Sequence, residues 1–249
     1  MMDFLREIYY VAWGDLKFLR HNMINIMFMS LVSPLLYLFT FGYGLAGSMV
    51  ESELPYIAFI IPGIVALSSL NASFSSTATR LNVQRLYYRS FDEMMICPLR
   101  NSSIILGKST LGVVRGMLSC SFIFIMGLFL APQLMLTPLF IFCLILSCYT
   151  FSLLGVTAAL LAKSHQNMAA FSALVILPMT FLCGTFFAIE NLPEAIQAIL
   201  YAFPLTHSST ILRASALGWD FPWISLIALA GFFITFFLID LHLIKSRKI

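Results

Sequence analysis

Apolar residues run in six long blocks separated by polar stretches: Met23–Leu45, Tyr56–Ser76, Leu111–Ala131, Pro138–Ala162, Met168–Ile189 and Phe221–Ile244. A helix needs roughly 20 apolar residues to cross a bilayer core, so each block predicts a membrane-crossing helix. Six crossings place both chain termini on one side. The first block is longer than the roughly 7–15 residues of a cleavable signal core and is expected to remain as a span. Ahead of it, residues 1–20 are too polar to cross. On a helix, Phe4, Leu5, Ile8, Tyr9, Ala12, Leu16 and Leu19 share one face, and Asp3, Arg6, Glu7, Lys17 and Arg20 the other, with Asp15 out of place. This pattern predicts an amphipathic helix along the membrane surface; an ordinary helix packed on the bundle is the alternative.

Two segments depart from simple alternation. Residues 77–110 form the one long connection on their side, where Ser90 or Asp92 is expected to cap a short helix that Pro98 ends. Phe91, Met94 and Met95 are expected to be exposed on it beside Asp92 and Glu93, a surface suited to a protein partner; a solvated loop is the bland alternative. Residues 190–220 hold Pro193 and Pro204, with Pro222 just beyond, and apolar pieces, Ala195–Phe203 and Leu205–Leu217, too short to cross. They predict re-entrant or interfacial helices.

Composition agrees with the pattern. The 249 residues are 60% hydrophobic and 10% charged, with a mean hydropathy of +0.94. Soluble domains carry about 25% charged residues, so a soluble enzyme is excluded and an all-α integral membrane protein is expected. A net charge of +3 leaves no nucleic-acid footprint. Basic residues orient the chain. Arg6, Lys17, Arg20, Arg80, Arg85, Arg89, Arg100, Lys108, Arg115, Lys163, Lys245, Arg247 and Lys248 fall on one side, and Arg213 alone on the other. Both termini are therefore expected in the cytoplasm of a multi-pass protein of the cell (inner or plasma) membrane.

The chemistry of enzymes is missing. Cys97, Cys120, Cys143, Cys148 and Cys183 contain no C-x-x-C pair, so no disulfide framework or metal site is expected. Gly107-Lys108-Ser109-Thr110 resembles the end of a phosphate loop, but Ser102 stands where the first glycine belongs. Asp240 and Arg115 sit near predicted inner span ends, where anchoring is expected, Arg115 by reaching to the interface. Without ionisable residues deep in the spans an ion-coupled carrier is disfavoured, and the energy source must lie on another chain.

Several stretches resemble one family, the ABC-2-type permeases. They are Tyr56-Ile57-Ala58-Phe59-Ile60-Ile61-Pro62-Gly63, Phe181-Leu182-Cys183-Gly184-Thr185-Phe186-Phe187, Leu192-Pro193, Phe203-Pro204-Leu205-Thr206-His207 with Arg213 after it, and Pro98…Gly107-Lys108…Arg115. The resemblance covers nearly the whole chain and looks nearest to the drug and lipo-oligosaccharide exporter branch. It implies a single domain over 1–249, of six transmembrane helices in the type V exporter manner, with an interfacial helix at 1–20, a cytoplasmic coupling loop at 77–110 and outer re-entrant helices at 190–220. It also implies a homodimer with two copies of a separate ATPase that holds the ATP and magnesium, no cofactor in this chain, and export of a drug, lipo-oligosaccharide or polysaccharide. Coupling would rest on Arg89, Phe91, Asp92, Glu93, Met94, Met95 and Pro98; Pro204, His207 and Arg213 belong to the outer segment. Many relatives read R-x-x-G-T-L-E-x-L in the coupling loop, whereas this chain has Arg89-Ser90-Phe91-Asp92-Glu93-Met94-Met95 without the glycine.

Candidate pathway residues are Ser68, Ser69, Asn71, Ser73 and Phe74 of the second span with Met179, Thr180 and Phe181 of the fifth, a mixture suited to an amphipathic ligand. Helix packing is the alternative role for each. For the chain as a whole, a channel or ion-extruding permease without an organic substrate, or a non-transport scaffold, is the rival reading.

Overall fold

The computed structural model describes residues 2–44, 56–182, 184–185 and 193–247. The stretch with Glu51 and Glu53, together with Cys183, Phe186, Phe187, Leu192 and Lys248, lies outside the described residues. All regular structure among those described is helical: α1 (Met2–His21), α2 (Met23–Gly44), α3 (Tyr56–Leu86), α4 (Ser90–Ile96), α5 (Asn101–Leu130) and α6 (Pro138–Leu161) come first. Then α7 (His165–Phe171) runs through a π-turn at Ser172–Ile176 into α8 (Leu177–Leu182), followed by α9 (Glu194–Leu200), α10 (Pro204–Leu217) and α11 (Trp223–Arg247). Five stretches are long and apolar enough to cross a membrane: α3, α5, α6, the continuous run His165–Leu182, and α11. The chain is a multi-span helical membrane bundle. The first expected crossing falls on α2, a helix of 22 residues that contains Pro34.

Helix α3 is the centre, packed on by α2, α5, α6 and α10. In lipid no hydrophobic force draws apolar helices together, so close backbone approach and interhelical hydrogen bonds carry the packing. Small residues on α3, α5 and α6 meet accordingly. Gly112 and Gly116 of α5, a G-x-x-x-G pair, lie on Ser73 and Thr77 of α3. A Cβ at Gly112 would stand 2.6 Å from the Ser73 carbonyl oxygen. Ser152 of α6 donates to the Ser109 carbonyl of α5 at 2.7 Å, and its Oγ lies 2.7 Å from Thr77 Oγ1 of α3. Three helices are thus joined at one point.

Helix limits follow local chemistry. Thr137 caps α6 by accepting from the Phe140 amide at 3.1 Å, with Pro138 in the first helical position. Helix α10 ends at Gly218, whose φ of 70° is the left-handed conformation glycine adopts freely. The π-turn lies one turn before Pro178, which has no N–H to bond the carbonyl four residues back.

The helices around the expected loop run past their predicted limits. Helix α3 continues to Leu86 rather than stopping at Ser76, and α5 begins at Asn101 rather than Leu111. Polar residues in these extensions read as loop in the sequence, yet the bundle satisfies them internally. Arg85, for example, is buried and donates to the Ala159, Leu160 and Ala162 carbonyls at the C-terminus of α6. Those carbonyls have no intrahelical partner and carry the negative end of the helix dipole.

Candidate functional site

An open cleft of about 680 Å³ lies between α2, α3, α5 and the α7–α8 run. Its polar lining includes Ser30 and Ser33 of α2, Ser68, Asn71 and Ser75 of α3, Arg115 of α5, Ser172 of the π-turn and Thr180 of α8; Phe74, Ile176, Leu177 and Phe181 supply apolar surface. Five of the eight expected pathway residues, Ser68, Asn71, Phe74, Thr180 and Phe181, come together here. Three do not: Ser69 is buried and bonded to the Ala66 carbonyl at 2.7 Å, Ser73 packs on Gly116, and Met179 points into the core. A smaller hollow of about 250 Å³ extends the cleft along α3 past Ser75 and Thr79 to Asn82 and His165.

Arg115 lies midway along α5 and donates from Nε and Nη2 to Ser30 Oγ of α2 at 3.1 and 2.9 Å. The signal available in the sequence was its place in Gly112-Val113-Val114-Arg115-Gly116, where the flanking glycines hold the helix against α3.

At one end of the bundle, α4 follows α3. Phe91, expected to be exposed, is only 2% exposed and packs in a cluster with Leu81, Ile104, Leu160 and Ile244. It anchors the short helix. Asp92, Glu93 and Pro98 remain exposed, and Met94 and Met95 are half-buried. The helix start also differs from expectation: neither Ser90 nor Asp92 caps it, and Arg89 stands at the N-cap with φ 55°. The apolar anchor at Phe91 holds the chain close enough for that left-handed turn.

Beside α4, α1 packs on α5 through Val11, Ala12, Asp15 and Leu19, and presents Tyr9, Tyr10, Trp13 and Phe18 outward. Asp15, out of place on the helical wheel, is the centre of this contact. Its carboxylate accepts from Lys108 Nζ at 2.9 Å, Arg80 Nε at 3.1 Å and Gln84 Nε2 at 2.7 Å. The Gly107-Lys108-Ser109-Thr110 stretch is thereby explained without a phosphate: it lies inside α5, Gly107 admits Val11, and Lys108 pairs with Asp15. Asp240 is fully buried in α11, its Oδ1 lying 2.7 Å from the Thr157 hydroxyl of α6.

At the far end, the separate family stretches converge on Arg213 of α10. Its Nε donates to the Phe59 carbonyl at 3.2 Å and its Nη2 to the Gly184 and Thr185 carbonyls at 3.1 and 3.4 Å, while the guanidinium stands 3.8 Å over the Phe59 ring. A Cβ at Gly63 would stand within 3.0 Å of Arg213 Nη2, so proline-glycine spacing in α3 and the glycine of the later stretch serve one junction. His207 donates from Nε2 to the Tyr201 carbonyl at 2.9 Å, and Thr206 donates to the Leu200 carbonyl at 2.6 Å, which closes the elbow from α9 at Pro204.

The profile of the ABC-2 type transporter family matches residues 6–217. The chain belongs to that family. This permease is similar to nodulation protein J of Neorhizobium galegae, 30% identical over 223 residues that cover 88% of this chain and 85% of the relative. It is also similar to the inner membrane transport permease YadH of Escherichia coli (strain K12), 27% identical over 237 residues, 92% of each chain. A third relative, nodulation protein J of Rhizobium leguminosarum bv. viciae, is 30% identical over 192 residues, 76% of this chain and 74% of that one. ABC-2 permeases are transport subunits and not themselves enzymes.

Proposed function

We propose that this permease works as a homodimer with two copies of a separate cassette ATPase, and exports an amphipathic or lipid-linked substrate (a drug, lipo-oligosaccharide or polysaccharide) from the cytoplasm. The observation that carries this reading is the cleft: hydroxyls, one amide and aromatic surface share a hollow of about 680 Å³ at the side of the central helix, the mixture that fits a ligand with polar and apolar parts. The name of one relative, an inner membrane transport permease, supports a transport role and an inner-membrane location.

In this reading the chain is one domain that crosses six times, α2 being the first crossing, with both termini cytoplasmic. Helix α1 lies along the membrane surface through Tyr9, Tyr10, Trp13 and Phe18. Helix α4 in the 77–110 connection is the coupling helix: Phe91 holds it to the bundle, and Arg89, Asp92, Glu93, Met94, Met95 and Pro98 meet the ATPase. Helices α9 and α10 in 190–220 are the outer re-entrant pair, with Pro204, His207 and Arg213 fixing their shape.

The test is co-purification and transport. Asp92→Lys with Glu93→Lys should lower ATPase recovery with the permease while leaving membrane insertion and yield unchanged. ATP-dependent efflux of amphipathic dyes should need both subunits. Ion conductance of the permease alone in liposomes, with no dye movement, would overturn the exporter reading and favour a channel.

A further inference from the structure

Among the residues that line the cleft, one is charged. Arg115 offers five N–H donors, and two of them, on Nε and Nη2, bond a single neutral hydroxyl, Ser30 Oγ. None of the ion pairs among the described residues involves it, and no Asp or Glu lines the cleft. Arg115 is half-buried, whereas the cations buried in the bundle are matched within the protein: Lys108 is paired with Asp15, and Arg85 and Arg213 are wrapped in backbone carbonyls. Among the described residues, Arg115 is the cation that faces an open hollow without an ion-pair partner. Inside a membrane-spanning bundle such a charge acts through a low dielectric, so it attracts anions and repels cations strongly.

The neighbours suit one kind of anion. Ser33 and Asn71 add neutral hydrogen-bond donors on the facing helices, and a guanidinium holds the paired oxygens of a phosphate in its planar fork. Phe74 and Phe181 leave an apolar strip beside them for a hydrocarbon chain. We propose that the cleft selects amphiphiles whose headgroup is a phosphate-class oxyanion, bound at Arg115, with the chain along Phe74 and Phe181. This rests on the exporter reading for what the cleft does with its ligand, and on the side chains alone for the ligand's charge.

The experiment uses the full chain in nanodiscs of phosphatidylcholine and three probes of equal chain length: dodecyl phosphate, dodecyl glucoside and dodecyltrimethylammonium, each displacing a fluorescent dodecyl phosphate. The phosphate should bind about tenfold or more tightly than the glucoside, and the ammonium should not compete. Arg115→Gln should bring the phosphate-to-glucoside ratio close to one, and Arg115→Lys should keep part of it. Ser30→Asp supplies a fixed carboxylate to the same guanidinium and should also abolish the ratio; it keeps the test intact if Arg115→Gln fails to fold. Equal affinity for the phosphate and the glucoside in the native chain, or a preference that survives both Arg115→Gln and Ser30→Asp, overturns the proposal. Phosphatidylglycerol in place of phosphatidylcholine separates two sources of the headgroup. Competition assigns the oxyanion to a bilayer lipid, and its absence assigns it to cargo; both sustain the charge assignment. Tight glucoside binding without charge preference would sink this inference and leave the exporter reading standing. Charge preference without ATPase-dependent efflux would do the reverse.

Discussion

Replacing Asp15 tests how α1 is held to the bundle. Asp15 is 2% exposed and Lys108 5%, and their contact is 2.9 Å. Removing one member of such a pair leaves the other charge buried without compensation and costs about 3–5 kcal/mol, whereas replacing both by apolar residues of like size is often close to neutral. Asp15→Leu should therefore cost about 3–5 kcal/mol. Lys108→Met should cost less, about 2 kcal/mol, because Arg80 and Gln84 still satisfy the carboxylate. The double variant loses both Gln84 bonds, to Asp15 and from Lys108, but strands no buried charge, since Arg80 is 27% exposed and turns to solvent; its cost should be about 2 kcal/mol. The cycle then shows non-additivity of at least about 3 kcal/mol, a factor of roughly 150 in the unfolding equilibrium. Unfolding in mixed dodecylmaltoside and dodecyl sulfate micelles, followed by tryptophan fluorescence, reads this directly, because Trp13 lies two residues before Asp15. If the double variant loses the sum of the two single losses, the pair is not coupled and the argument fails.

Three further outcomes follow from the packing. Gly112→Ala should destabilise by about 1–3 kcal/mol in the same assay, because the intruding methyl meets the backbone carbonyl of Ser73; Gly231→Ala, with nothing within 4 Å, is the control and should not. Arg213→Lys keeps the charge but not the planar fork that reaches Phe59 and Gly184 together; a loss of about 1–3 kcal/mol is expected, and native-like thermal stability would refute the junction. The Ser103 hydroxyl, helped by Arg100, holds the Glu7 carboxyl below its ordinary range. The contribution is present above the unfolded value and lost as pH falls through the lower folded one. Hydrogen exchange in residues 2–10 should rise only in acid below the usual glutamate range, and Ser103→Ala should move that rise to higher pH.

Five of the six expected crossings were legible because a 20-residue apolar run has few other uses. Tyr56, Pro138 and Met23 start helices where the pattern starts them. What the pattern hid was polar residues satisfied across helices: Arg85 and Gln84 read as loop, yet one caps α6 and the other completes the Asp15 cluster. Phe91 read as a docking residue because an apolar side chain among charges looks the same whether it faces a partner or its own bundle. The cleft was half legible. Ser68, Asn71 and Phe74 follow one helical face, but Ser73, five residues from Ser68, turns toward α5, and Ser30 and Arg115 belong to helices whose neighbours no single-chain periodicity reveals. The paired glycines at 112 and 116 were the missed signal for that packing.

The central position of α3 also has a bearing on biogenesis. Residues 56–86 leave the ribosome before any of α5, α6 or α10 exists, and Arg213 emerges 154 residues after its partner Phe59. During synthesis at roughly 5–20 residues per second, this hydroxyl-rich segment waits for many seconds before α5 and α6 cover it. Each later helix is then captured by a surface already in place, so truncations after α6 should retain a folded nucleus, and a chain that lacks α3 should be a substrate for membrane proteolysis.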